Sequence, residues 1–415
     1  MDIIERFLAY TRINTTTDIA KGQAGIVPSS EGQMELARFV ARELEELGLV
    51  DIKVRDNAIL TATLPANVDY DVPVVSFFGH LDTSAELKTD TNAQITRYEG
   101  GDIVLNKELE VILRASEFPE IENYIGQDII HTDGTSLLGA DDKAAIAAIL
   151  DAILFLKNNP EIKHGPVKVA FVPDEEQGML GSKAFDTKEF GADFGYTLDC
   201  CGIGEFVCEN WNAGHAVVTF KGQSAHPMSA KGKLKNSLLM AHKFISMLPG
   251  GEAPEYTFER EGYYWVKQMS GNSAQTILNL DIRDFTKSGY LSRKDFLQKL
   301  SDSCSLLWGE GSVTIKLVDS YENVSNSLQG DASFPIDIAF EAYRHNGIEP
   351  NVIPMRGGYD GSILSQNGLP CPNIFTGAHN FHSVYEYMPV DSLKAASKVV
   401  VDIVRITCER EASKN

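Results

Sequence analysis

Long apolar runs are missing from this chain. No stretch of its 415 residues reaches the roughly 20 consecutive apolar positions a membrane-spanning helix needs, which argues against an integral membrane protein built from helices. Cysteine is sparse as well. The six (Cys200, Cys201, Cys208, Cys304, Cys371 and Cys408) are scattered without the paired spacing of a zinc finger or a disulfide framework, which fits a reducing compartment. Basic side chains are outnumbered, 37 Lys and Arg against 58 Asp and Glu. The resulting net charge of −21 argues against nucleic acid or an anionic membrane surface as partner. Low-complexity tracts are absent too, and with 43% hydrophobic residues the chain is long enough to fold as two domains with substantial cores. Met1–Tyr10 reads as an amphipathic helix and not as a signal peptide, so a cytoplasmic location is expected.

What is present is a set of acidic and imidazole side chains at the ends of apolar runs. The segment 71–80 is rich in Val and Phe, is closed by Gly79 and reads as a buried strand ending at His80. Val167–Val172 reads the same way and runs through Pro173 into Asp174-Glu175-Glu176. Phe194–Asp199 repeats the pattern. Ligands of open α/β sheets collect outside the carboxyl ends of the strands, so three strands ending in acidic or imidazole groups point to one shared site. Asp141 and Asp142 precede Ala144–Leu156, which is apolar almost all round and reads as a buried helix. Aspartate at a helix start also serves as an N-cap, and here Asp142 can be the cap while Asp141 faces the site. Asp82, two residues past His80, is placed to hydrogen-bond that imidazole and fix its tautomer. With His382, the set of His80, Asp141, Glu176 and Asp199 has the composition that two zinc ions sharing a water require.

These residues carry a resemblance. His80-Leu-Asp82-Thr, Gly139-Ala-Asp-Asp-Lys143, Pro173-Asp-Glu-Glu176, Leu198-Asp199 and Asn380-Phe-His382 resemble, in order, the motifs of the dinuclear zinc peptidases, the family of aminoacylase and glutamate carboxypeptidase. The likeness extends over nearly the whole chain, through Thr15–Thr17, Pro28–Gln33, Ala225–Pro227 with Ala230–Gly232, Ile282–Phe285, Arg356–Gly358 with Asp360-Gly361, and Gly368–Pro372. It implies two Zn2+ per chain, with His80 and Asp199 on one ion, Glu176 and His382 on the other, and Asp141 bridging them. It further implies a cis peptide bond between Asp141 and Asp142, Glu175 as general base, His226 as oxyanion donor, and Arg283 and Arg356 on a substrate carboxylate. The activity implied is release of the N-terminal residue from tripeptides. The same ligand set also serves dipeptidases, carboxypeptidases and N-acyl amino acid hydrolases. A zinc-dependent binding protein without catalysis would need neither Glu175 nor His226. Of the two nearby histidines, His382 and not His379 falls in register with the family motif. The chain departs from the family pattern at Ser383, Tyr359 and Met228, which bears on substrate preference.

The expected fold class is α/β, a zinc-peptidase-like catalytic domain (1–210 and 322–415) with an inserted α+β lid domain (211–321). Within the insertion the pattern reads strand 213–222, helix 234–248, strand 256–267, strand 275–285, helix 292–307 and strand 311–319, the ferredoxin-like split βαβ order. Leu278, Leu280 and Ile282 alternate with Asn279, Asp281 and Arg283, as in a strand with one face buried. Motion of such a lid over substrate would gate turnover. An exposed edge of its sheet is compatible with a homodimer.

Overall fold

The three apolar runs that end in candidate ligands form adjacent strands, Val75–His80, Val167–Val172 and Phe194–Cys200, in a computed structural model that describes residues 1–88, 91–200 and 202–413. Cys201 lies outside the described residues. Val75–His80 is central to the three and runs parallel to both neighbours, with His80 beside Val172 and Phe78 beside Thr197. Their carboxyl ends therefore open onto one edge. The full sheet has eight strands. Val50–Val54 and Leu60–Leu64 extend it on one side, and Asn373–Phe375, Glu205–Val207 and Asn351–Val352 extend it on the other.

The chain divides into two compact units, and this sheet belongs to the first, which comprises Met1–Cys208, Ser327–Ile353 and Tyr359–Asn415. The helix Ala140–Asn158 lies on one face with Ile3–Thr11, Phe334–His345 and Val390–Ala412. Its Ile146, Ile149, Leu150 and Ile153 are at most 1% exposed, and burial of each contributes roughly 1.5–3 kcal/mol. Phe78, Phe185, Phe190 and Leu364 cover the other face. This unit also holds a three-stranded antiparallel sheet of Gln94–Arg97, Asp128–His131 and Tyr387–Pro389, and a short hairpin of Ile103–Asn106 with Val111–Leu113. The N-terminal helix is Ile3–Thr11, fixed by a capping box between Asp2 and Glu5.

The second unit comprises Glu209–Asn326 and Pro354–Gly358. Its sheet contains, in spatial order, Tyr263–Gly271, Gln275–Asp284, Asn212–Lys221 and Val313–Tyr321, with every neighbouring pair antiparallel. Helices Ser237–Ser246 and Lys287–Trp308 pack on the face that carries Leu278, Leu280 and Ile282. That is the ferredoxin-like split βαβ arrangement. The second strand lies later than the 256–267 expected from sequence. Pro254–Tyr256 forms a single 3-10 turn, and a turn from Phe258 to Glu261 with Glu259 at φ 46° uses up the predicted start. The first helix begins at Ser237 because the Asn236 side chain caps it by accepting from Leu238 N at 3.0 Å.

Candidate metal centre

Asp141 sits where the helix Ala140–Asn158 begins, its backbone out of helical conformation and joined to Asp142 by a cis peptide bond. Its carboxylate takes His80 Nε2 on Oδ1 at 2.8 Å and His382 Nε2 on Oδ2 at 3.1 Å. His382 Nε2 is also 2.7 Å from Glu176 Oε1. Donor atoms of His80, Asp141 and Glu176 lie within 4.8 Å of one another, and so do those of Asp141, Asp142 and Asp199. Asp141 thus belongs to both groups. The structure brings together all five side chains singled out as ligands, and adds Asp142.

The sequence motifs around the cluster hold it in place. Asp82 is fully buried, and its carboxylate accepts from Glu175 N at 2.9 Å, Glu176 N at 3.0 Å and Thr17 Oγ1 at 3.0 Å. His80 Nδ1 bonds the Asp82 backbone oxygen at 3.0 Å, with the carboxylate at 3.3 Å. Asp82 therefore fixes the Glu175-Glu176 turn as well as the imidazole. Thr17 also meets Thr83 O with both its N–H and its hydroxyl, each at 3.0 Å, which explains the Thr15–Thr17 motif. Asp174, at φ 55°, bends the chain sharply after the strand, and Ser29 N at 2.8 Å and Gln33 Nε2 at 2.8 Å hold its carboxylate. That is the work of the Pro28–Gln33 motif. Asn373 accepts from Asp199 N at 2.7 Å and donates to Asp199 O at 2.8 Å.

Asp142 does not cap the helix. The N-cap position is Gly139, and the Asp142 carboxylate instead accepts from His80 N at 2.9 Å. His379 is half-buried and structural in its contacts, its Nε2 2.6 Å from Tyr124 Oη and its ring stacked on Tyr387 at 5.0 Å. Burial pushes it down to about 4. Ser383 closes the loop bearing His382, donating to Asn380 O at 2.9 Å and accepting from Tyr385 N at 3.1 Å. Tyr359 is fully buried, whereas Met228 is 89% exposed. Cys200 is buried, 1% exposed.

The remaining predicted residues lie in the second unit. His226 is exposed, and its Nδ1 accepts from Met228 N at 3.2 Å. Arg283 donates to Gly214 O at 2.9 Å and to Asp281 Oδ2 at 3.2 Å. Arg356 donates to Glu259 O at 2.9 Å and Thr257 Oγ1 at 3.1 Å, its guanidinium 4.9 Å from the Trp211 ring centroid.

The electrostatics call for a cation. Burial and then the Asp199 carboxylate push Glu175 well above the usual carboxylate range, and burial and then Asp141 do the same for Asp199. Burial and Asp141 carry Glu176 up to about 7. Burial would raise Asp141 too, but hydrogen bonds from His382 and His80 outweigh it and hold its carboxyl below the usual range. Hydrogen bonds to Asp141 and Glu176 push His382 up to about 11. Half-buried, mutually repelling carboxylates beside two imidazoles have the donor chemistry that suits paired divalent metal ions.

Sequence reasoning passed over Glu386, a buried carboxylate that takes three backbone N–H groups from the turn before Asp141, and Asp360, which is 3% exposed. Their signals were weak: Glu386 lies four residues past His382, and Asp360 lies within a motif matched without a role.

An α/β sheet with a carboxylate–imidazole cluster at the carboxyl ends of its parallel strands defines a metallohydrolase. Residues 132–406 match peptidase family M20/M25/M40, and the chain belongs to this family of metallopeptidases. It is 45% identical over 406 residues to Peptidase T of Caldanaerobacter subterraneus subsp. tengcongensis, covering 97% of this chain and 98% of that protein. It is also 44% identical over 414 residues to Peptidase T of Geobacillus kaustophilus, covering 99% of each. Among solved structures, aminopeptidase PepT from Bacillus cereus ATCC 10987 superposes with a TM-score of 0.78 at 21% identity over 98% of each chain. A dinuclear metal-binding M20 peptidase from Bacillus subtilis gives 0.64 at 15% identity, covering 98% of this chain and 99% of that one. At these identities the two structures speak to the fold. Among the described residues no helix is long and apolar enough to cross a membrane.

Proposed function

We propose that the chain is a dinuclear zinc aminopeptidase that releases the N-terminal residue from tripeptides. The observation that carries this reading is the likeness to Peptidase T over nearly the full chain, at 44–45% identity. In this reading His80 and Asp199 would hold one ion, Glu176 and His382 the other, and Asp141 both; the shared place of Asp141 in both donor groups supports the bridge, while those groups set His80 beside Glu176 and Asp199 beside Asp142. When bound, the two ions supply an acidified water and polarise the scissile carbonyl.

The chain's own residues then have distinct tasks. Glu175 takes the proton from the attacking water and returns it to the leaving amine. It precedes Glu176 in a turn whose two N–H groups are both fixed by Asp82, so one carboxylate can act as base while its neighbour acts as ligand. Asp82 also sets the His80 imidazole. For His226, the Nδ1 that accepts from Met228 N leaves the proton on Nε2, the tautomer an oxyanion donor needs. Arg283 and Arg356 carry over from their motifs as partners of the substrate carboxylate, a role suited to a bidentate guanidinium. We further propose a lid role for the second unit and a cytoplasmic location.

The test is Glu175→Gln. The variant is expected to keep two zinc ions per chain by elemental analysis while tripeptide hydrolysis falls by about 10²- to 10⁴-fold or more. Retained hydrolysis would remove Glu175 as base.

A further inference from the structure

The turn that presents Asp141 is held by a carboxylate from far along the chain. Glu386, 1% exposed, accepts from Leu138 N and Gly139 N on Oε2, each at 2.8 Å, and from Asp141 N on Oε1 at 3.2 Å. The helix starting at Ala140 has no capping side chain of its own, because Gly139, at φ 77°, occupies the N-cap position. Glu386 supplies what that cap would have supplied, across about 245 residues of sequence.

The contact also links two segments of the cluster. Glu386 follows His382 by four residues in a loop closed by the two Ser383 bonds, by Glu386 N donating to Ser383 O at 3.2 Å and by Asn380 Nδ2 donating to Tyr385 O at 3.1 Å. The Asp141 N–H defines the peptide plane just before the Asp141 side chain. Fixing it fixes the direction in which that carboxylate leaves the backbone, toward His80 on one oxygen and His382 on the other. Lys143, fully buried, anchors the same turn from the helix side by donating to Ile13 O at 2.8 Å.

We propose that Glu386 is a positioning residue that locks the Asp141 turn to the His382 loop and so sets the angle at which Asp141 is shared between two metal ions. The proposal rests on the reading of Asp141 as the bridging ligand. A residue that orients a ligand without touching the metal changes metal affinity by roughly 10- to 100-fold when replaced. Glutamine keeps the length of Glu386 but replaces one accepting oxygen with a donor, so at least one of the three N–H groups loses its partner. Aspartate keeps the charge and loses the reach.

The experiment titrates metal-free wild type, Glu386→Gln and Glu386→Asp with Co2+, following the visible d–d bands and the bound stoichiometry, with circular dichroism and thermal midpoints alongside. Wild type is expected to take two Co2+. Both variants are expected to keep the wild-type dichroism, to bind at least one equivalent roughly 10- to 100-fold more weakly, to show altered d–d bands, and to lose kcat more than KM. Wild-type affinities and bands in both variants would overturn the role of Glu386 and leave the bridging assignment standing. A wild-type protein that takes up one Co2+ or none would overturn the bridging assignment itself. Failure of both variants to fold would also overturn the proposal, by assigning Glu386 to the stability of the whole unit.

Discussion

Replacing Asp82 with Asn tests how the centre is held without removing any proposed ligand. In the structure this carboxylate receives Glu175 N, Glu176 N and Thr17 Oγ1, and lies 3.3 Å from His80 Nδ1. Asparagine keeps one accepting oxygen. Its amide nitrogen must then face a donor, and while the Thr17 hydroxyl can rotate to accept, a backbone N–H cannot. One of the two N–H groups in the half-buried Glu175-Glu176 turn is left unpaired. A lost hydrogen bond to a charged acceptor is worth roughly 1.5–3 kcal/mol and an orphaned buried donor roughly 1–3 kcal/mol. These terms overlap, so a total of about 3 kcal/mol is expected. Appearing as stability, this lowers the unfolding free energy of the metal-free protein in urea by about 3 kcal/mol; appearing as misplacement of Glu175 and Glu176, it lowers kcat/KM on a tripeptide by about 100-fold. The two readouts should share the loss. An Asp82→Asn protein within about 0.5 kcal/mol of wild type and equal to it in kcat/KM would refute the reasoning, since that is the range of a surface substitution.

Two further predictions follow from the structure. His226→Ala is expected to leave metal content unchanged and lower kcat by about 10²- to 10³-fold, measured by elemental analysis and steady-state kinetics; a wild-type kcat would return His226 to an exposed turn residue with no part in the chemistry. His379 is held near 4 by burial while its unfolded value is about 6.5, so the folded state favours the neutral ring. The stability this lends is present above pH of about 6.5 and is lost as pH falls toward 4, by at most about 3 kcal/mol. Urea unfolding of wild type and His379→Gln at pH 7 and pH 4.5 should show the wild type losing more on acidification, and equal losses would contradict the assignment.

How much of this was legible in the sequence depended on the range of the interactions. His80, Glu175-Glu176 and Asp199 were readable because each ends or follows an apolar run, and the adjacent parallel strands carry them to one edge. The braces were not readable. Asp174 reaches Ser29 across 145 positions and Glu386 reaches Leu138 across 248, and no local pattern encodes a carboxylate chosen for backbone N–H groups so distant in sequence. Asp142 was misjudged for a related reason. Helix-start aspartates usually cap, but the backbone here is non-helical at that point, and the side chain serves His80 N instead. The strand expected at 256–267 moved because Pro254 and Glu259 make turns that alternation alone does not reveal. The three-stranded sheet went unseen because its strands are only three or four residues long, too short for a periodic signal.

The most direct test of the central claim is a substrate panel of free tripeptides, N-blocked tripeptides, dipeptides and N-acyl amino acids, with products identified by chromatography before and after treatment with a chelator and readdition of zinc. Hydrolysis confined to tripeptides with a free amine, releasing the N-terminal residue, abolished by the chelator and restored by zinc, is the predicted result. Equal cleavage of the N-blocked tripeptides, release from the C-terminus, or hydrolysis confined to dipeptides or N-acyl amino acids would contradict it.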